Sequence, residues 1–314
     1  MYNGTMQYKL QNRVLTMKSN ELKGNLILLL TALIWGCAFV AQSVSMDHVG
    51  PFTFQCTRSL LGALVLVPVF LALDSSKKKS GTYVVPTAED RRTQLIAGIV
   101  CGVIMTIAGN LQQIGMQYTT AGKAGFITAM YILIVPILGL FLKKKVGIKL
   151  WGCVGIALIG LYLLSVTDGF SSINKGDIYV LLCAVAFAFH ILAVDHFVER
   201  VDGVRLSSMQ FLVCGILSGV MMLLTETPTV EGLMGAAIPI AYAGIMSCGI
   251  AYTLQIVGQK YTNPTMASMI MSLESVFAVL GGMVLLREIP TVREAIGCTL
   301  MFVAIIIPQL PERK

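Results

Sequence analysis

GNLILLLTALIWGCAFVAQSVSM, residues 24–46, decides how this chain is read. The run lies between Lys23 and Asp47 and holds no charged residue. At about 1.5 Å per helical residue it is long enough to cross the roughly 30 Å hydrocarbon core of a bilayer. Lipid offers the backbone no hydrogen-bond partners, so a run of this kind must be helical. It exceeds the roughly 7–15 apolar residues of a signal peptide and is followed by others, which predicts an uncleaved first span behind a polar N-terminal tail, residues 1–21.

Nine further spans are predicted. They lie at 52–73, broken only by Arg58; within 93–122; between Lys123 and Lys143; between Lys149 and Asp168; between Asp177 and Asp195; between Arg205 and Glu226; between Glu231 and Lys260; at 264–286, interrupted by Glu274; and between Glu294 and Glu312. The linkers are too short to hold a soluble domain. Composition agrees: of 314 residues, 56% are hydrophobic and 12% charged, about half the roughly 25% charge of a soluble domain, and mean hydropathy is +0.79. The expected class is an all-α membrane protein with ten transmembrane helices.

The net charge of +7 and pI near 9.0 do not mark a nucleic-acid binder, because the basic residues form short clusters between apolar runs. Counted by alternate loops, 18 of the 23 Lys and Arg residues fall on one side. The other side holds Lys123, Lys175, Arg287 and Arg293, and Arg58 lies within a span. By the positive-inside rule both termini are cytoplasmic, as expected for a multi-pass protein of a plasma membrane of the bacterial inner-membrane type. The Ser- and Lys-rich segment 74–92 is then a cytoplasmic loop. The eight cysteines all sit in apolar runs without C-x-x-C spacing, so they read as small packing residues rather than disulfides or zinc ligands. No motif calls for a metal or cofactor.

The two halves repeat each other. Lys23-Gly24-Asn25 opens the first and Lys175-Gly176-Asp177 the second, and Gly115-x-x-Tyr118-Thr119 matches Gly258-x-x-Tyr261-Thr262. Five spans per half is an odd number, so the second half must be inverted in the membrane. Inverted repeats are characteristic of secondary transporters, whose site lies near the midplane where the repeats meet.

The segment GMQYTTAGKAGFITAMYILIVP, residues 115–136, resembles the third-to-fourth helix region of EamA-type proteins. Leu273-Glu-Ser-Val-Phe-Ala278, followed by Leu285-Leu286-Arg287-Glu288, resembles their ninth helix, with Ser275 where the family carries Pro and Arg287 where it carries Gly. The resemblance spans about residues 22–310. It implies the drug/metabolite transporter superfamily: two inverted EamA repeats, at 22–167 and 175–310, and export or exchange of amino acids and similar small metabolites.

Several residues are candidates for the site. Glu274, a carboxyl deep in a span, is expected either to carry protons for coupling or to tie its helix structurally to a neighbour. Arg58 lies seven residues beyond Pro51, about 10 Å below the outer face, where snorkelling outward, pairing with Glu274 and binding a substrate carboxylate are all open. Thr106, Asn110, Gln113 and Gln117 fall on one helix face, and Tyr252, Gln255 and Gln259 on another; two such amide stripes predict a polar cavity. Tyr131 aligns near Glu274 in the repeat, Trp35 lies mid-span, and His190 is a candidate proton carrier or a hydrogen-bonded packing residue.

The leading function is secondary transport of a small neutral or zwitterionic metabolite across the bilayer by alternating access. Nucleotide sugars, phosphate esters and lipid-linked substrates are the alternatives, disfavoured because Lys123 and Arg58 are placed toward the outer face and leave the midplane without a cation. An intramembrane enzyme is the remote reading: no H-E-x-x-H is present, and His190 and Asp195 are five residues apart, on different helix faces. The charge bias makes a direct prediction. Single cysteines replacing Ser80 and Glu231 label from opposite sides of the membrane with an impermeant thiol reagent, and equal labelling of both from one side contradicts the arrangement.

Overall fold

The structure, a computed structural model, describes residues 2–119, 121–143, 146–165, 174–285 and 291–309. Leu286, Arg287 and Glu288 of the second EamA-like segment lie outside these residues, as do Lys144, Lys145, Arg313 and Lys314 of the charge count. Helix is the only regular structure among the described residues. In order come α1 (Tyr2–Ser45), α2 (Pro51–Lys79), α3 (Ala88–Met116), α4 (Ala121–Thr128), α5 (Tyr131–Phe141), α6 (Ile148–Ser165), α7 (Lys175–Phe197) and α8 (Gly203–Thr225). The short α9 (Val230–Gly235) and α10 (Ala237–Ala241) lead into a π-helical segment, Tyr242–Ala251, and α11 (Tyr252–Gln259). The chain continues through α12 (Pro264–Met271), α13 (Glu274–Leu285) and α14 (Val292–Gln309).

Local chemistry sets the helix starts. Pro51 and Pro264 occupy first-turn positions, where the missing N–H costs nothing. Thr87 with Asp90, and Asn174 with Asp177, close reciprocal capping boxes at the starts of α3 and α7. The polar N-terminal segment is not a separate element: its backbone runs helically into the first span.

Among the described residues, seven helical segments are long and apolar enough to cross a membrane: Asn20–Ser45, Pro51–Lys79, Ala88–Met116, Lys123–Phe141, Lys175–Phe197, Gly203–Thr225 and Ala237–Gln259. Shorter apolar helices occupy Ile148–Leu163, Pro264–Leu280 and Ala295–Ile307. Burial is inside out relative to a soluble protein. Leu224 and Ile238 are 75% and 83% exposed, whereas Gln55, Gln113 and Gln210 are fully buried. Such a surface is solvated by lipid, and the chain is a multi-pass membrane protein.

Without a hydrophobic drive between helices, packing rests on small residues and buried polar bonds. α2 lies along α8, α3 along α7 and α8, α6 along α14, and α1 along α11, α12 and α13. Ser208 Oγ donates to Ala63 O at 3.0 Å, and Tyr242 Oη to Ile34 O at 3.0 Å. The ends are tied as well. Arg205 pairs with Asp74, and Lys77 lies 3.6 Å from Asp202. At the opposite ends of α2 and α8, the Phe52 and Thr53 N–H groups donate to Glu226 at 2.9 and 2.8 Å.

Two spans are broken. α4 stops at Thr128 and α5 begins at Tyr131; α12 stops at Met271 and α13 begins at Glu274. At both breaks the α pattern tightens to 3₁₀-type bonds: Met130 N to Ile127 O (3.1 Å) and Ile132 N to Ala129 O (3.0 Å), then Leu273 N to Ile270 O (3.2 Å) and Ser275 N to Ser272 O (3.2 Å). In the second break the Ser272 hydroxyl bonds back to the carbonyl of Met269 at 2.7 Å. The break therefore forms with Ser275 at the position where the family carries Pro.

Gly36 lets α1 seat directly on the start of α13. A Cβ there would stand 2.6 Å from Phe277 Cβ and 2.8 Å from both Glu274 O and Ala278 N, so neighbouring backbone would have to move. Gly36→Val should cost about 1–3 kcal/mol or more through this overpacking, read as a lowered melting temperature in detergent. Gly152→Ala, with nothing within 4 Å of its added carbon, should leave melting unchanged or slightly raised.

Candidate functional site

The two breaks face each other across a central cavity. Tyr131 and Glu274, the first residues of α5 and α13, meet there: Tyr131 Oη donates to Glu274 Oε1 at 3.0 Å, with both side chains buried. Behind them Ser275 Oγ donates to Gly125 O at 3.2 Å, joining the second break to α4.

The cavity is lined by Trp35, Ala38, Phe39 and Gln42 from α1, Arg58 from α2, Gln112 from α3, and Thr128 and Tyr131 at the first break. Phe187 and Ile191 of α7, Ser247 and Tyr252, Gln255, and Met271 and Glu274 at the second break complete the wall. Its volume is about 30 Å³, room for a water or two.

Arg58 does not snorkel. It is 5% exposed and turns inward, donating from Nε to Gln55 Oε1 at 2.8 Å and also from Nη2 to the same oxygen. Its guanidinium carbon stands 5.2 Å over the Phe54 ring. Held by these two neighbours on its own helix, the guanidinium faces the cavity, which corrects its expected placement toward the outer face. Among the described residues no ion pair joins it to Glu274. The cavity thus holds one cationic and one acidic side chain that do not neutralise each other directly.

Among the described residues, three buried polar atoms on the wall have no partner: Trp35 Nε1, Gln42 Oε1 and Gln255 Oε1. Buried polar groups are nearly always satisfied, so orphans clustered on one cavity are the mark of a place that receives a polar molecule or water. Gln255 Nε2 donates to Gln259 Oε1 at 2.9 Å, and Gln259 Nε2 to Ile191 O at 3.0 Å, which fixes the amide. Trp35 and Tyr252 pack at 4.5 Å between ring centroids, and Phe211 meets Tyr252 edge-on at 5.0 Å.

Of the sequence-predicted residues, Trp35, Arg58, Tyr131, Tyr252, Gln255 and Glu274 are brought together on this wall. Asn110, Gln113 and His190 are not. Asn110 Nδ2 donates to Ser218 Oγ at 2.8 Å, tying α3 to α8, and Gln113 Nε2 to Gln42 O at 3.3 Å, tying α3 to α1. Gln117 is exposed. His190 lies behind Tyr252, its ring edge-on at 6.1 Å, with Nε2 sharing a hydrogen bond with Gln210 Oε1 at 2.9 Å. On α3 it is Gln112, one residue from the predicted stripe, that reaches the cavity, donating to Thr128 Oγ1 at 3.2 Å. Gln42 was within reach of the sequence: Thr31, Trp35, Ala38 and Gln42 follow a helical face through the first span. Ser247 was not, because the π-helical segment changes the residues-per-turn on which such a reading depends.

Lys123, the other cation considered, lies at one end of the molecule, 2.7 Å from Asp177.

Comparison with known proteins places this geometry. The EamA-like transporter family matches twice, at residues 22–166 and 174–308. A protein of Archaeoglobus fulgidus named as an uncharacterized transporter is 30% identical over 92% of this chain and 87% of its own. The transporter YoaV of Bacillus subtilis is 23% identical over 86% and 90%, and a chloroplastic WAT1-related protein of Arabidopsis thaliana 24% identical over 88% and 67%. A solved crystal structure at 18% identity superposes with a TM-score of 0.73, covering 92% of this chain and 98% of that one, which is a likeness of fold. The chain is a membrane transporter and belongs to the EamA-like transporter family.

Proposed function

We propose that this transporter carries small zwitterionic metabolites, amino acids foremost, by alternating access through the central cavity. The observation that carries the reading is the presence of both Arg58 and Glu274 on one cavity wall, unneutralised by each other and accompanied by the unpartnered Trp35, Gln42 and Gln255 atoms. A zwitterion matches both charges, its carboxylate on Arg58 and its ammonium on Glu274. A nucleotide sugar or phosphate ester carries an excess of negative charge that Arg58 attracts but Glu274 opposes. Sequence reasoning reached the same substrate class on the premise that the midplane lacks a cation; Arg58 removes that premise, and the opposed charges replace it.

The helices are read as ten spans in two inverted five-helix repeats, in a plasma membrane with both termini cytoplasmic. The packing supports this: exchanging each span with its counterpart five spans later converts the α3–α7 contact into the α11–α1 contact, and returns α2–α8 and α6–α14 to themselves. A carboxylate at the depth of Glu274 needs a counter-charge. A substrate ammonium and a proton therefore compete for it, which is the simplest way for a pH gradient to drive export.

Counterflow in proteoliposomes loaded with a panel of metabolites tests the substrate class. Zwitterionic amino acids should exchange and nucleotide sugars should not; exchange of nucleotide sugars with no amino acid taken overturns the proposal. Arg58→Gln and Glu274→Gln should each weaken amino-acid exchange about tenfold or more, the scale of a charge-assisted hydrogen bond worth about 1.5–3 kcal/mol, while the melting temperature holds. Glu274→Gln should also abolish uphill transport driven by a pH gradient. If melting and all transport collapse together, Glu274 is a structural tie instead.

A further inference from the structure

The repeated sequence motifs meet in space twice, once at each end of the molecule. At one end Thr119 Oγ1 donates to Asp177 Oδ1 at 2.8 Å; at the other Thr262 Oγ1 donates to Asn25 Oδ1 at 2.9 Å. Thr119 and Thr262 end the two Gly-x-x-Tyr-Thr segments, while Asp177 and Asn25 end the two Lys-Gly-Asp/Asn segments. Their glycines also correspond. A Cβ on Gly176 would stand 2.7 Å from Gly115 O and 2.8 Å from Tyr118 Cβ; one on Gly24 would stand 3.0 Å from Gly258 O and 2.8 Å from Tyr261 Cβ. The same clasp is thus built twice, holding the end of α3 to the start of α7 and the end of α11 to α1 at the opposite end.

The clasps differ in charge. Lys123 Nζ stands 2.7 Å from Asp177 Oδ2, and Asp177 is 5% exposed. The residue of the second repeat that corresponds to Lys123 is Met266, and Asn25 is uncharged. Asp177 further accepts from Asn174 N–H at 2.9 Å, so its oxygens are well satisfied, the condition under which a partly buried pair is a net gain. A neutral hydroxyl–amide bond, by contrast, exchanges for water at little net cost.

We propose that the two clasps are the alternately released seals of the transport cycle, and that the ion pair at Asp177 biases the resting protein toward states closed at that end. The inference rests on the alternating-access reading above. Both clasps are closed in this structure, matching the small cavity. Opening at either end separates the elements that its clasp joins, and separating Lys123 from Asp177 is the costlier of the two. Sequence charge bias assigns the Asp177 end to the outer face, so the resting transporter opens to the cytoplasm, as suits an exporter loading from inside.

Double electron–electron resonance on the full chain in nanodiscs tests this, with the eight native cysteines replaced by alanine. Spin labels at Gln117 and Ile178 report the Asp177 end, and labels at Leu22 and Lys260 the Asn25 end; all four positions are exposed. Lys123→Met, which gives the first clasp the residue of the second, should raise the long-to-short distance ratio at 117/178 about fivefold and lower it at 22/260. Asn25→Asp combined with Met266→Lys, which leaves Lys123 in place, should shift both ratios in the same directions by strengthening the other clasp. Unchanged ratios in both variants, in a protein whose two distances still move oppositely when amino acid is added, overturn the clasp proposal alone. Distances that never move oppositely in the unsubstituted protein overturn the alternating-access reading and the clasp proposal with it.

Discussion

Hydrocarbon offers a peptide group nothing to bond to, and the rest of this structure depends on that constraint. A helix crossing lipid satisfies its own backbone, so a break in one is tolerated only where protein encloses it. The two breaks, Thr128 to Tyr131 and Met271 to Glu274, face each other in the interior. Their 3₁₀ turns and the Ser272 hydroxyl recover bonds that the α pattern gives up. Enclosing them requires close helix approach, which Gly36 permits against α13. The enclosure also brings Tyr131 and Glu274 to the cavity as the first residues of their half-helices, so the same feature that interrupts the helices places the chemistry.

Much of the fold was legible because lipid makes a simple demand. Charge-free runs of about twenty residues located the apolar helices, and the motifs at Lys23-Gly24-Asn25 and Lys175-Gly176-Asp177 located the repeat. The breaks were harder to see, since neither carries Pro or Gly at the broken residues. At the site, periodicity pointed to Tyr252 and Gln255, while depth in a span pointed to Trp35 and Glu274. It misassigned Asn110 and Gln113, because a buried amide serves a helix–helix bond as readily as a cavity and spacing does not separate the two uses. For Arg58, distance along the helix gave depth but not direction. Gln55 and Phe54, on the same helix, hold the guanidinium inward where the usual expectation sends an arginine to the interface.

That inward turn reshapes the functional argument. A cavity with a lone acid would suit a cation, and one with a lone arginine an anion. The two together, each held by its own neighbours rather than by the other, suit a molecule that carries both charges. Tyr131 orients Glu274, Gln55 orients Arg58, and the Trp35–Tyr252 pair closes the apolar side. Specificity in this account comes from two opposite charges held in one largely buried cavity, where each interaction is strengthened and a mismatch is costly.

The most direct test is a high-resolution structure of the protein in a lipid environment with a zwitterionic amino acid bound. The account predicts one molecule in the central cavity, its carboxylate within hydrogen-bond distance of the Arg58 guanidinium and its ammonium within hydrogen-bond distance of Glu274. Substrate bound elsewhere, or Arg58 and Glu274 paired with each other beside it, would contradict the account.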